Sequence, residues 1–204
     1  MNNKLSHKDW ISALNNNELS VVDIIEAGMK FGQKFSWHPL GFILCKLSEE
    51  REKKIRIHIW PNDNDRVQNP AWLIHDHLFD LKSWVISGEI ENTEYWIKDE
   101  IPNYCLYEAK YENDSSILCR TNKKVYISLK SKTLVRSGEV YEVPSDVLHQ
   151  SLSVSKAASL TVCETIDKLG RSPIIAGDID GLDFYTYERS EVTENELQDV
   201  ISKI

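Results

Sequence analysis

From about residue 40 to residue 166 the chain reads as one short strand after another, with Gly, Pro, Asn or Asp between them. Ile55, Ile57 and Ile59 alternate with Arg56, His58 and Trp60, the two-residue period of a strand with two unlike faces. Comparable runs fall at 41–47, 54–60, 72–77, 82–87, 89–97, 104–111, 117–120, 124–135, 139–143, 149–154 and 159–166. So many short strands, so regularly interrupted, predict a closed or two-sheet antiparallel barrel. No dinucleotide or phosphate-loop glycine signature is present, and no internal repeat.

The flanks have a different period. Residues 9–14 and 21–32 place apolar side chains at helical spacing, with Ser20 as the N-cap and Gly32 as the stop of the second run. Thr193 and Glu196 form a capping box ahead of Leu197, Val200 and Ile201, so 193–204 predicts a helix. The economical organisation is a single domain over 1–204. It has a helical N-terminal extension at 1–38, a β-barrel at 40–166 and a C-terminal extension at 167–204 ending in a short helix.

A chain of 204 residues can bury a substantial core. Its 32 acidic against 24 basic residues give a net charge of -8, which argues against nucleic acid or an anionic membrane as the main partner. No apolar run approaches the ~20 residues of a membrane span, and the start of the chain lacks the apolar stretch of a secretory signal. Cys45, Cys105, Cys119 and Cys163 lie far apart without a paired motif, as reduced thiols do, so a cytoplasmic location is expected.

Chemistry concentrates in two segments. On a strand His75 and His77 point to one side, so both imidazoles can be presented to one point inside a barrel. Imidazole nitrogen is the commonest side-chain ligand for zinc, iron, copper and nickel. Further on, Gly138, Pro144 and His149 read as strand, turn, and a strand opening on a third histidine.

In this the sequence resembles the cupin superfamily across roughly residues 40–166. The family's first motif, G-x5-H-x-H-x3,4-E-x6-G, is matched by His75, His77 and Gly88; its second, G-x5-P-x-G-x2-H-x3-N, by Gly138, Pro144 and His149. Asp146 stands where the second motif has a turn glycine, the opening glycine of the first motif is absent, and its glutamate position holds Leu81, followed by Lys82. The three-histidine set that remains is similar to the thiol dioxygenase branch of cupins, which binds ferrous iron. The resemblance implies a single antiparallel double-stranded β-helix of the jelly-roll type and one divalent metal ion on His75, His77 and His149. Iron(II) is favoured, with zinc, nickel or manganese as alternatives. It also implies a homodimer.

Three neutral imidazoles leave the metal's charge uncompensated, which favours an anionic chelating substrate, and an octahedral ion keeps three positions for it and for dioxygen. The expected function is a non-haem iron oxygenase acting on a small polar or acidic metabolite. The alternatives are a zinc, nickel or manganese isomerase or hydrolase, and a non-catalytic ligand-binding cupin. Asp80 is a candidate fourth ligand, or a hydrogen-bond partner of a ligand imidazole or of turn backbone. Lys82, His58, Arg56 and Tyr95 are candidates for substrate contact, against packing or surface roles for each. Cys163 reads as a buried structural thiol, and Lys123, Lys124, Lys130, Lys132 and Arg136 as a solvated strand face. His7 and His38 have no evident partner in the sequence.

Overall fold

The computed structural model describes residues 5–30, 32–63, 65–112, 115–168 and 170–204. The first four residues, and Phe31 within the expected helix at 21–32, lie outside them. In chain order the described elements open with α1 (His7–Asn15), α2 (Val21–Lys30), β1 (Phe35–Trp37), β2 (Ile43–Glu50) and β3 (Lys53–Trp60). They continue with β4 (Phe79–Ser87), β5 (Glu89–Lys98), β6 (Tyr104–Glu112), β7 (Ser115–Arg136) and β8 (Val140–Val143). Last come β9 (His149–Ser153), β10 (Ser159–Asp167), β11 (Ile174–Gly177), β12 (Phe184–Glu188) and α3 (Glu194–Ile201).

Two antiparallel sheets carry the fold: β1-β2-β3-β10-β4-β8, and β11-β6-β7-β5-β9 with β12 beside β7. The alternation along β3 is used on both sides. Ile55, Ile57 and Ile59 are fully buried on the outer face of the first sheet, under Trp10 and Leu14 of α1, Ile24 and Ile25 of α2 and Leu197 and Val200 of α3. Arg56 and His58 face a cavity inside. The helices therefore cover a sheet face; the core they close buries several large side chains, each contributing about 1.5–3 kcal/mol. On that face His7, buried, meets Glu164 of β10 at 2.7 Å and its backbone N–H donates to Glu50, a tie between α1 and the sheet invisible in the sequence.

All three described helices begin on side-chain caps, two of them, at Ser20 and Thr193, expected from the sequence. Ser6 with Asp9, Ser20 with Asp23, and Thr193 with Glu196 exchange side-chain and backbone hydrogen bonds at the three N-termini. The basic residues of β7 are a paired outer face, with Lys130 on Glu94, Lys132 on Glu91 and Arg136 on Glu89 across to β5. Cys45, Cys105 and Cys163 are buried and free, and Cys119 is half-buried and free. Among the described residues no helix is long and apolar enough to cross a membrane.

Four strand expectations are corrected. Residues 72–77 form no strand: only His75 pairs, as an isolated bridge to His149 on one side and to Ile175 on the other. The expected strands 117–120 and 124–135 are one strand, β7, because a register shift in its pairing with β6 absorbs the polar stretch that reads as a turn. There Thr121 Oγ1 donates to the Leu106 carbonyl. Strand β4 begins at Phe79, three residues before the expected 82, paired with Asp167 of β10. Strands also occur in both flanks: β1 before residue 40, and β11 and β12 after 166.

The two motif glycines have a conformational reason. Gly88 (φ +82) and Gly138 (φ +85) both sit in the left-handed region, and the turns meet through Ser137 N–H to the Gly88 carbonyl at 3.1 Å. Asp146 is not among the positive-φ residues, so the turn that carries aspartate in place of the motif glycine needs none. A Cβ at Gly88 would lie 2.7 Å from the Ser159 Cβ. Gly88→Ala is expected to destabilise the protein by about 2 kcal/mol, from the φ penalty and the displaced β10 backbone together. Gly138→Ala, with open space at its Cβ, is expected to cost about half as much. Urea unfolding midpoints of the two variants check the order.

Candidate metal centre

His75 closes the second sheet. Its N–H donates to the His149 carbonyl at 3.0 Å and the His149 N–H returns the bond at 2.8 Å, while Asp76 N–H reaches the Ile174 carbonyl at 3.0 Å. The segment thus lies between β9 and β11, the two edges of that sheet, and brings the two motifs together through backbone bonds. His77, two residues on, stays on the same side. The ring centroids of His75, His77 and His149 are 4.7–4.8 Å apart, and one ligand nitrogen from each falls within 4.8 Å of the others.

The donors suit a metal ion. A metal at about 2.1 Å from each nitrogen would draw the three to about 3–3.5 Å of one another, a closure within reach of small side-chain rotations. His75 Nδ1 lies 2.8 Å from the Leu73 carbonyl and His149 Nδ1 lies 3.4 Å from that of Val147. A carbonyl only accepts, so in each ring Nδ1 carries the proton and Nε2 keeps the lone pair that binds a metal. The His77 ring is stacked on Phe79, centroids 4.4 Å apart. Burial pushes the His75 and His77 pKa values down and takes that of His149 to about 3, so all three are neutral near pH 7.

Two of these imidazoles, His75 and His77, line a cavity of about 600 Å³. Phe42, Leu44, Trp72, Phe79 and Leu81 supply its apolar wall. Leu81, at the family's glutamate position, therefore faces the cavity with a side chain that cannot ligate a metal. Lys82 falls on the opposite face of β4 by the two-residue period, ion-paired to Glu142 at 3.1 Å and lying over Trp84. It does not line the cavity, which corrects its candidacy for substrate contact.

Asp80 is turned away as well. It accepts from the Ser145 N–H at 3.1 Å and pairs with Lys168 at 2.8 Å, so it ties the Pro144 turn to β4, and the ligand cluster contains no carboxylate. Tyr95 packs in a separate apolar cluster, its hydroxyl 3.5 Å from Gln150, and does not line the cavity either. Arg56 and His58 do. His58 is buried against Phe42 and Trp60, with Nδ1 3.6 Å from Cys163 Sγ, and burial takes its pKa to about 3. Cys163 is the buried packing thiol expected, its pKa raised by burial.

Three cavity-side features were not legible in the sequence. His38, which lines the cavity, is stacked on Phe42 with its Nδ1 accepting from the Leu40 N–H at 3.2 Å. Asp76 is 2% exposed, bonded to the Ile174 N–H at 2.8 Å and paired with Arg171 at 2.8 Å, which locks β11 beside the H-x-H segment. Arg189 enters the cavity wall just beyond β12, where Tyr185 and Tyr187 at two-residue spacing hint at a strand but not at its partner.

No family model and no curated protein matches the chain. Solved structures do, at a distance. A cupin-like protein from Thermotoga maritima aligns at 11% identity over 81% of this chain and 87% of that one, with a TM-score of 0.34. The CENP-C cupin domain of Drosophila melanogaster aligns at 11% identity over 78% and 98%, with a TM-score of 0.35. A hydroquinone 1,2-dioxygenase aligns at 12% identity over 60% and 62%, with a TM-score of 0.34, so the chain spans less than two thirds of that enzyme. The double sheet and the histidine cluster stand on the chain's own geometry.

Proposed function

We propose that this cupin-type double-sheet barrel is a metal-dependent enzyme, a non-haem iron oxygenase acting on a small polar or acidic metabolite bound directly at His75, His77 and His149. One observation carries the reading: three neutral imidazoles from two motifs converge beside a cavity in which the expected carboxylate is replaced by Leu81. With no protein carboxylate in the ligand set, an anionic substrate is the natural source of compensating charge. Ferrous iron, when bound, supplies the capacity to activate dioxygen.

The chain's own residues set the conditions for that chemistry. Backbone carbonyls of Leu73 and Val147 hold the rings of His75 and His149 in the ligating tautomer. Phe79 braces His77, and Phe42, Phe79 and Leu81 present apolar surface to the space beside them. A homodimer and a cytoplasmic location complete the reading.

The test is dioxygen uptake by metal-free protein reloaded anaerobically with iron(II), then screened against thiol, amino and hydroxy acids. The proposal expects substrate-dependent uptake with iron and none with zinc. Turnover without dioxygen in the zinc, nickel or manganese form would replace it with an isomerase or hydrolase. Tight metal binding with no turnover of any substrate would leave a ligand-binding barrel.

A further inference from the structure

The cavity holds two cations that the metal-centre reading does not use. Of its charged lining residues, Lys46 is paired with Glu49, Lys168 with Asp80, Asp76 with Arg171 and Asp167 with Lys54. Arg56 and Arg189 remain, and neither has a carboxylate within ion-pair distance among the described residues. The nearest acid to act on Arg56 is Asp167, already held by Lys54.

Both guanidinium groups are fixed by packing. Arg56 lies over the Phe79 ring, 5.0 Å from its centroid, and Arg189 over the Tyr111 ring at 5.6 Å. The backbone around Arg189 is clamped on both sides. Gln68 bonds to the main chain of Glu188, the Trp37 N–H donates to the Ser190 carbonyl at 2.8 Å, and Glu191 bridges Ser36. Among the described residues Arg189 Nε is buried without a hydrogen-bond partner, a donor whose desolvation none of them offsets. Arg189 is close enough to be among the influences that hold the Arg56 pKa down, after desolvation. Two like charges held in one apolar-walled cavity, with donors unspent, form a site that is completed by an anion.

We propose that Arg56 and Arg189 form an oxyanion subsite for a doubly charged phosphoryl or phosphonyl group on a substrate whose apolar body lies against Phe42, Phe79 and Trp72. Two guanidiniums without an ion-pair partner among the described residues match a dianion in charge, and their planar forks can each present paired donors to its oxygens. A single carboxylate would neutralise only one of them. The inference deepens the metal-centre reading by naming the far end of the substrate, and it depends on that reading only for what the near end meets.

The experiment is calorimetric titration of phenyl phosphate into metal-free and iron-loaded protein at pH 7.5, where a phosphate monoester is largely dianionic (second pKa about 6). Benzoate and benzyl alcohol serve as singly charged and neutral probes of similar shape. Phenyl phosphate is expected to bind the metal-free protein, benzoate about tenfold more weakly, and benzyl alcohol not measurably. Arg56→Gln and Arg189→Gln should each weaken phenyl phosphate at least tenfold, and Lys168→Gln should leave it unchanged. The comparison of the three probes on wild-type protein needs no variant, so it decides even where an arginine variant fails to fold. Equal affinity for phenyl phosphate and benzoate, binding indifferent to both arginine substitutions, binding only in the iron-loaded form, or no binding at all would each overturn the subsite. Arginine-dependent binding in a protein that takes up no metal would keep the subsite and remove the metal centre.

Discussion

Acidification from pH 7 to about pH 5 is expected to destabilise the metal-free protein by roughly 4 kcal/mol through His58 and His149 alone. Burial takes both folded-state pKa values to about 3 from an ordinary 6.5. In the unfolded chain each imidazole takes up a proton below 6.5, whereas in the folded chain neither does until pH approaches 3. The unfolded state therefore binds more protons throughout that window, so stability is complete above 6.5, falls as pH drops, and levels off near 3. At 1.36 kcal/mol per unit, the 1.5 units from 6.5 to about 5 correspond to roughly 2 kcal/mol for each histidine.

His38, His75 and His77 are shifted in the same direction by burial and steepen the fall. The carboxylates held down by partners, such as Glu49 beside Lys46 and Asp80 beside Lys168, lose their contribution as pH falls through the ordinary carboxylate range and beyond it. Asp76, raised by burial, works weakly the other way. Histidine therefore governs the window between 6.5 and 5. Urea midpoints at the two pH values measure the effect, and His58→Gln should flatten it by about half of the two-histidine figure. A midpoint that does not move between the two pH values would mean that these imidazoles are not buried neutral.

Alanine at His75 or His77 is expected to lower metal affinity by more than a hundredfold. Removing an outer partner of a metal ligand typically costs 10–100-fold, and a ligand itself is a larger loss when the set has only three members. His58→Ala is the informative control: it is a buried cavity histidine, but its Nδ1 faces Cys163 and it lies outside the three-histidine cluster. It should leave metal affinity within a few-fold. Competition against a chelator of known affinity separates the two cases. A His58→Ala loss as large as that of His75→Ala would move the site away from the three motif histidines.

The parts of the fold that were legible in the sequence are those with local causes. Alternation in β3, the N-cap at Ser20, the capping box at Thr193, and the motif glycines at 88 and 138 each act through the residues beside them. The three-histidine cluster was legible because two motifs at fixed spacing carried it. What the sequence hid depends on distant pairing. Residues 72–77 have strand-like alternation, yet only His75 has partners in register, and those come from β9 and β11. Strand β11 is four residues long; it pairs with β6 on one side, and Asp76 and Ile74 take up its backbone on the other. Lys82 and Leu81 are neighbours, and which of them faces inward follows from the register of β4 with β10, fixed across some eighty residues. Arg189 reached the cavity by the same route, through a strand whose pairing with β7 no local pattern announced.

The most direct test of the central claim is the metal content of anaerobically purified wild-type protein and of its His149→Ala variant. The three-histidine centre predicts near-stoichiometric iron in the first and its loss in the second, with the variant still folded by circular dichroism. Iron retained in the folded variant, or no metal in either protein, would contradict it.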